Sequence, residues 1–277
     1  MYAFLRFPNF RKKALTLSYD DGVVYDRKLI EIMGKYGLKG TFNLNSSFFA
    51  RDEKYFTKEE AVQLYKESGN EIAVHGYRHL NLVEVDKTVA TREVLTDREN
   101  LESIFGACVR GMAYAYGAYN DTVVEILKNC GIAYSRTVIS TEKFDIPNDW
   151  LRLPATCHHN NPRLMELAEE FLGDTPARHF WQEKPKLFYL WGHSYEFNND
   201  DNWDIIERFA EKVGNRKDVW YATNMEIYDY VQAFNRLIFS VDGKRVKNPS
   251  AVDLWLCLYG QEVFLPAGAE KTVEKNY

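Results

Sequence analysis

Short apolar runs and helical patterns alternate along the chain to about residue 235. The first dozen residues hold only brief apolar pieces, broken by Arg6, Pro8, Asn9 and Arg11. Residues 15–19 then read as a buried strand. Leu29, Ile30, Ile32 and Met33 recur at helical spacing and predict a helix over 26–36, stopped by Gly37 as a glycine just past a helix does. Residues 40–44 are a second strand. Thr57 followed by Glu60 is a capping box, so a helix begins there and runs to about 68. Residues 71–74 are a third strand, 85–105 a long helix, 112–116 a strand, 121–129 a helix closed by Gly131, and 132–134 a short strand. Residues 150–155 read as extended and 162–171 as helical. Residues 186–191, with the run Leu-Phe-Tyr-Leu-Trp, are a strong strand, and a helix (203–213), a strand (219–222) and a helix (224–234) follow.

Such alternation predicts an α/β fold with a parallel sheet and helices packed outside it. About seven strands are enough to close, or nearly close, a barrel. After Phe234 the helical pattern stops. Residues 237–241, 252–258 and 262–265 read as short strands with turns such as Asp242-Gly243 between them. The expected organisation is a (β/α) barrel over 1–235 and a small β appendage over 236–277, packed on the barrel because roughly 40 residues are few for an independent core.

The chain has 277 residues, 45% hydrophobic and 27% charged, which fits one large globular domain. A net charge of −5 leaves no basic footprint for nucleic acid. No apolar run reaches the ~18 residues of a membrane span, and the N-terminal stretch lacks the apolar region of a secretory signal. Cys108, Cys130, Cys157 and Cys257 show no paired spacing and read as free buried thiols of a reducing compartment. These features lead to the expectation of a cytoplasmic protein without membrane or nucleic-acid partners. Most of the many aromatics read as core, while Trp191, Tyr195 and Tyr77 stand beside candidate site residues where they could stack on a ligand.

Two apolar runs end in chemistry. Residues 72–74 feed into His75-Gly76-Tyr77-Arg78-His79, and residues 14–17 into Ser18-Tyr19-Asp20-Asp21-Gly22. Two imidazoles and one carboxylate make the three-ligand set of a catalytic metal site, which leaves a second aspartate free to act as a base. Taken singly, a His pair four apart and an Asp-Asp-Gly turn are common; their joint occurrence after strands is the signal. Gly22 lets the backbone turn away beside the site.

From Leu15 to Gln232 the chain resembles the polysaccharide deacetylases, the metal-dependent carbohydrate esterase family four. Ser18-Tyr19-Asp20-Asp21-Gly22 is similar to that family's Thr-Phe-Asp-Asp-Gly motif, and His75-Gly76-Tyr77-Arg78-His79 to its His-Ser/Thr-x-x-His motif. The resemblance implies a distorted (β/α)7 barrel, with Asp21, His75 and His79 as ligands of one divalent metal ion and Asp20 as general base. The ion would be zinc, with cobalt, nickel and iron equally suited to such ligands. It further implies that His193, in Leu190-Trp191-Gly192-His193, is the general acid, and that Asp149, beside Trp150 and Arg152, is the carboxylate that tunes this histidine. At the third motif, Arg-x-Pro-Tyr in the family, this chain has Ala113-Tyr114-Ala115-Tyr116-Gly117. Tyr116, whose backbone N–H is the family's oxyanion donor, is kept; the arginine and the proline are not. This departure puts the positioning of Asp20 in question.

The implied function is hydrolysis of carbon–nitrogen amide bonds other than peptide bonds, removing acetyl from an N-acetylated sugar or oligosaccharide. Two alternatives stand beside it: a cyclic amide or ureide hydrolase on the same scaffold, and a non-catalytic carbohydrate-binding relative. Cys157-His158-His159-Asn160-Asn161 is a second cluster of possible ligands. Adjacent histidines on an extended segment face opposite ways, so one at most is expected at a given site, either in the substrate pocket or buried under a polar loop. His179 reads as an ordinary residue.

Overall fold

The structure is a computed structural model that describes residues 3–174 and 184–274; His179 lies outside the described residues. After a short strand β1 (Ala3–Arg6), the chain runs β2 (Lys13–Asp20), α1 (Asp26–Lys35), β3 (Gly40–Leu44), α2 (Lys58–Ala61, continued by a π-helical turn to Lys66), β4 (Glu71–Val74) and α3 (Lys87–Phe105). It goes on through β5 (Gly111–Ala113), α4 (Asp121–Asn129), β6 (Tyr134–Ser140), β7 (Leu153–Ala155), β8 (Cys157–His158), α5 (Leu164–Leu172), β9 (Lys186–Gly192), α6 (Ser194–Asn199), α7 (Asp204–Val213), β10 (Val219–Tyr221) and α8 (Asn224–Asn235). The Thr57–Glu60 capping box forms as its sequence requires.

The central sheet is parallel, in the order β7-β6-β5-β4-β3-β2-β9-β8. Its two ends are halves of one extended segment. β7 pairs with β6, β8 pairs with β9, and only Thr156, whose N–H donates to Tyr189 O at 2.8 Å, lies between them. The sheet thereby curls into a seven-stranded ring, with β10 laid beside the start of β2.

Strand alternation decides what each face carries. Leu15, Leu17 and Tyr19 of β2 point outward into a core shared with the helices. The intervening residues point inward and are polar: Thr16 Oγ1 donates to Asn224 Oδ1, and Asn43 Nδ2 donates to both Ser18 Oγ and Asp20 Oδ1. Along β2 and β3 the interior is therefore a hydrogen-bonded ladder, with the rings of Tyr189 and Trp191 beside it. The start of α8 plugs the end where the strands begin. There Asn224 Nδ2 donates to Tyr189 Oη at 2.7 Å, and Met225 N donates to Glu71 Oε2 at 2.8 Å. The opposite end, where the strands finish, stays open.

Beyond α8 lie β11 (Ile238–Phe239), β12 (Arg245–Lys247), β13 (Leu254–Leu258), β14 (Gln261–Leu265) and β15 (Glu270–Thr272). They make two small antiparallel sheets, and β1 pairs with β13 in one of them. A boundary at residue 235 assigns β1 to the barrel, whereas its hydrogen bonds place it in the appendage. Leu5, Leu254 and Leu256 share a core with Tyr230 and Val231 of α8, so the appendage covers the plugging helix. β5 is shorter than the sequence predicts, ending at Ala113, and β6 begins at Tyr134 and runs six residues further than predicted. Three of the four cysteines are buried and Cys108 is exposed; all are free. No helix among the described residues is long and apolar enough to cross a membrane.

Asp26 ties three elements together from the first turn of α1. It is fully buried and accepts hydrogen bonds from Tyr65 Oη at 2.6 Å and Ser194 Oγ at 2.5 Å. Burial is the main cause that raises its pKa from 3.8 to about 7; the two hydrogen bonds oppose the rise and the charges of Asp21 and Asp20 add to it. The folded chain therefore binds this proton where the unfolded chain has lost it, so Asp26 makes stability fall as pH rises from 3.8 towards 7. Asp26→Asn removes that slope. In metal-free protein its urea midpoint is expected to gain on wild type across this range, by on the order of a few kcal/mol, and to level off above it. A constant difference at all pH values would show that Asp26 does not titrate there.

Candidate active site at the open end of the barrel

Asp20 closes β2, and the chain leaves the strand through two successive left-handed residues, Asp21 (φ 77°) and Gly22 (φ 63°). The positive φ of Gly22 is what calls for glycine at this turn; a Cβ there would also press on the tip of Leu44, 2.7 Å from its Cδ2. The turn leaves Asp20 aimed into the barrel and puts Asp21 on its rim. His75 follows directly on β4, and His79 reaches back through its own left-handed residue (φ 61°). Tyr116, beyond β5, is a third (φ 58°), and its ring lies 4.6 Å from that of His79. Non-glycine residues at positive φ are uncommon, and three around one point mark a place where geometry overrides backbone preference.

Asp21, His75 and His79 form a group able to hold a metal ion. Asp21 Oδ1 is 3.5 Å from Nε2 of each histidine, and the two Nε2 atoms are 3.2 Å apart. Tetrahedral zinc with ligands at roughly 2.0–2.1 Å sets them about 3.3 Å from one another. The tautomer fits as well. His75 Nδ1 lies 2.9 Å from the Ala113 carbonyl, which can only accept, so the proton sits on Nδ1 and the Nε2 lone pair faces the group. Burial, with the neighbouring His75, lowers the pKa of His79 and keeps it neutral, as a ligand must be. The loop carrying His75 is itself pinned: Asp97 accepts His75 N at 3.1 Å and Ser46 N at 2.7 Å.

Asp20 sits between this group and His193. Its Oδ2 is 3.8 Å from Nε2 of both His75 and His193, and it accepts hydrogen bonds from Asn43 Nδ2 at 2.8 Å and from Arg136 Nη2. Burial pushes its pKa up, but Arg136, His75 and His193 outweigh burial and hold it at about 2. Arg136 is wholly buried, with its guanidinium 4.4 Å over the ring of Trp191. The third motif lacks its arginine, yet a guanidinium still reaches Asp20 from the next strand, β6. Trp191 is thereby committed to Arg136. Tyr195 keeps its ring 5.1 Å from His193 and remains partly exposed.

His193 follows directly on β9. Burial would lower its pKa, but Glu196, Asp20 and Asp21 raise it overall. The carboxylate nearest its Nδ1 is Glu196, at 3.3 Å. Asp149 has no described contact with His193. It caps the turn Trp150–Arg152 by accepting Leu151 N at 3.1 Å and pairs with Arg152 at 2.7 Å, while Arg152 reaches Asp121 at 2.6 Å. These three charged groups form a solvent-facing cluster apart from the metal group.

The two adjacent histidines do not behave as extended backbone predicts. β8 ends at His158, the chain turns, and both rings converge on Glu196, with Nε2 to Oε2 distances of 3.1 Å from His158 and 3.2 Å from His159. His159 is fully buried and stacks on Phe197. A Cβ at Gly192 would come within 2.0 Å of its Nδ1, so glycine there makes room for the ring.

Sequence reading missed Arg136, Asn43 and Glu196. Arg136 lies past the short strand that the sequence predicts over 132–134, although the run Thr137-Val138-Ile139 is a β-branched strand signal. Glu196 reads in sequence as an ordinary acidic residue in a first helical turn.

Residues 8–135, a little under half of the chain, match the family model described as polysaccharide deacetylase. A chitin deacetylase of Arthroderma benhamiae is 31% identical over 115 residues, which is 39% of this chain and 29% of that protein. The match thus spans less than a third of that relative's length. Among solved structures, a protein of Mycobacterium smegmatis assigned to the polysaccharide deacetylases aligns over 84% of this chain and 95% of its own, with TM-score 0.61 and 18% identity. A family 4 carbohydrate esterase from Streptomyces lividans, in complex with acetate, aligns over 76% and 93%, with TM-score 0.53 and 15% identity. A pseudoenzyme of the same esterase family from Bacillus anthracis aligns over 82% and 68%, with TM-score 0.52 and 16% identity. At such identities these structures establish a shared fold, the distorted (β/α)7 barrel.

Arg136 and Asp20 form a buried pair, and removing one partner leaves an uncompensated charge. Arg136→Met is expected to cost about 3–5 kcal/mol in urea unfolding, and Asp20→Asn added to it should recover part of that loss. Additive losses in the double variant would show that the pair is not coupled.

Proposed function

We infer that this chain is a metal-dependent amide hydrolase that removes acetyl from an N-acetylated sugar or oligosaccharide. The observation that carries this reading is the Asp21–His75–His79 triangle with Asp20 on one flank and His193 beyond it, all at the ends of barrel strands, where (β/α) barrels build active sites. The donor set suits zinc, and cobalt, nickel or iron as well. When bound by Asp21, His75 and His79, such an ion supplies a Lewis acid for the acyl oxygen and makes water a stronger acid.

The remaining work falls to the chain itself. Asp20 is ionised throughout the working pH range and accepts the proton of the attacking water; Arg136 and Asn43 keep its carboxylate in one orientation. Tyr116 offers its backbone N–H to the developing oxyanion from beside His79. His193 donates a proton to the departing amine, which leaves poorly otherwise. Asp149 and Arg152 serve the turn they cap. The curated relative is named for chitin, which favours an N-acetylated amino sugar as the substrate class. The altered third motif lends support to the cyclic amide or ureide alternative, and Arg136, which reaches Asp20 from β6, weakens that support. The pseudoenzyme among the structural neighbours shows that the fold alone does not carry activity. The reading therefore rests on the complete residue set.

The test is acetate release from soluble N-acetylated sugar oligomers, with zinc or cobalt supplied and a chelator control. Chelator-sensitive release is expected. His79→Ala should lose both metal and activity, and Asp20→Asn should keep the metal and lose at least ~10²-fold in kcat. Hydrolysis of cyclic imides alone would replace this reading with the cyclic amide one. Saturable glycan binding without hydrolysis, unchanged by Asp20→Asn, would make the chain a binding protein.

A further inference from the structure

Glu196 stands at the centre of a cluster that the reaction as derived so far does not use. Its Oε2 lies 3.1 Å from His158 Nε2, 3.2 Å from His159 Nε2 and 3.3 Å from His193 Nδ1, and it accepts the backbone N–H of His193 at 3.2 Å. Two histidines and a glutamate this close have the donor set of a second metal site. The tautomer of His158 speaks against that use. Asn160 N–H donates to His158 Nδ1 at 3.1 Å, so Nδ1 is an acceptor and the proton of the neutral ring is on Nε2. His158 thus presents N–H, not a lone pair, to Glu196. This is the reverse of His75, whose Nδ1 faces a carbonyl and whose Nε2 is left free to ligate.

The cluster is therefore a carboxylate faced by imidazole nitrogens. His158 and His159 pack against Oε2 from one side at 3.1 and 3.2 Å, and His159 Nε2 is buried with no aligned hydrogen-bond partner. His159 is locked by burial, by its stacking on Phe197 with ring centres 4.0 Å apart, and by the room that Gly192 leaves for it. On the other side Oε2 faces His193 Nδ1, a buried nitrogen with no aligned acceptor in this structure. Catalytic hydrogen bonds are often long in the absence of substrate and tighten when it binds. We propose that Glu196, braced by His158 and His159, is the residue that positions His193 as proton donor to the leaving amine. It accepts Nδ1–H and so fixes the ring plane, which presents Nε2 to the reacting centre; the proton given to the amine is the Nε2–H of the imidazolium form, and the ring is left as the neutral Nδ1–H tautomer. Asp149, the carboxylate expected from the family pattern, has no contact that could do this. The role is taken over by a residue three positions after the acid itself. This inference rests on the reading of His193 as general acid.

A positioning role for an acid shows in the leaving group. An amine needs protonation to depart and an activated phenolate does not, so the two substrates to compare are an N-acetylated sugar oligomer and 4-nitrophenyl acetate. With metal-loaded protein, Glu196→Gln is expected to lower kcat on the amide about 10²–10³-fold with KM little changed, and to lower ester hydrolysis far less. Glu196→Asp should restore part of the amide rate. Metal content should stay at one ion per chain in all three proteins. Equal losses on both substrates, or an undiminished amide rate, would overturn the role. So would a second ion per chain that disappears in Glu196→Gln, because the cluster would then be a metal site. A wild type inactive on both substrates would overturn the hydrolase reading and this role with it. A wild type active on both, with a uniform loss in Glu196→Gln, would overturn this role alone.

Discussion

Asp20 is held ionised while almost completely removed from water, and several elements of the barrel interior meet on it. Burial alone would neutralise the carboxyl. Arg136, buried as completely, supplies the opposing charge, and Asn43 takes the other oxygen. The guanidinium is held in turn over the face of Trp191, and Trp191 belongs to β9, the strand that carries His193 on its end. One ion pair thus links β2, β6 and β9 at the height where their chemistry emerges. The polar ladder beneath it, from Asn43 and Ser18 down through Thr16 to Asn224, satisfies its own buried polar groups by pairing them with one another.

Two histidine–carboxylate groups lie side by side at the mouth, and the partner of each ring's second nitrogen separates their uses. A carbonyl behind His75 forces its proton inward and frees Nε2 as a lone pair; an N–H behind His158 does the opposite. The same residue types at similar distances thus turn a lone pair towards the carboxylate in one case and an N–H in the other. His193 stands between them, with Nε2 towards Asp20 and Nδ1 towards Glu196.

The far end of the barrel is closed with equal care. α8 inserts Asn224 under the strands, and the appendage, completed by β1 from the other end of the chain, packs over that helix. Tyr230 joins the two, donating to the Arg6 carbonyl at 2.7 Å and accepting Trp255 N–H at 3.0 Å. One end of the barrel is sealed by chain termini, and the other is left to loops that carry the reactive groups.

Local physics made much of this legible in the sequence. Apolar runs bounded by turns placed most barrel strands, the Thr57–Glu60 box placed a helix start to the residue, and the two motifs brought Asp20, Asp21, His75 and His79 together because each follows directly on a strand. What the sequence could not determine depends on contacts between segments far apart. β1 is too short and broken to read as a strand until β13 lies beside it. Arg136 looks like one charged residue among 35 lysines and arginines until the ring of strands brings it to Asp20 across 116 positions. Asp149 matches a motif, yet its surroundings give it to a capping turn. Glu196 looks like a helix-start carboxylate and becomes a hub only because β8 turns two histidines onto it. Periodicity and spacing encode which face a residue takes on its own element. They do not encode which residue of another element will meet it there, and a buried charge is assigned its role by that meeting.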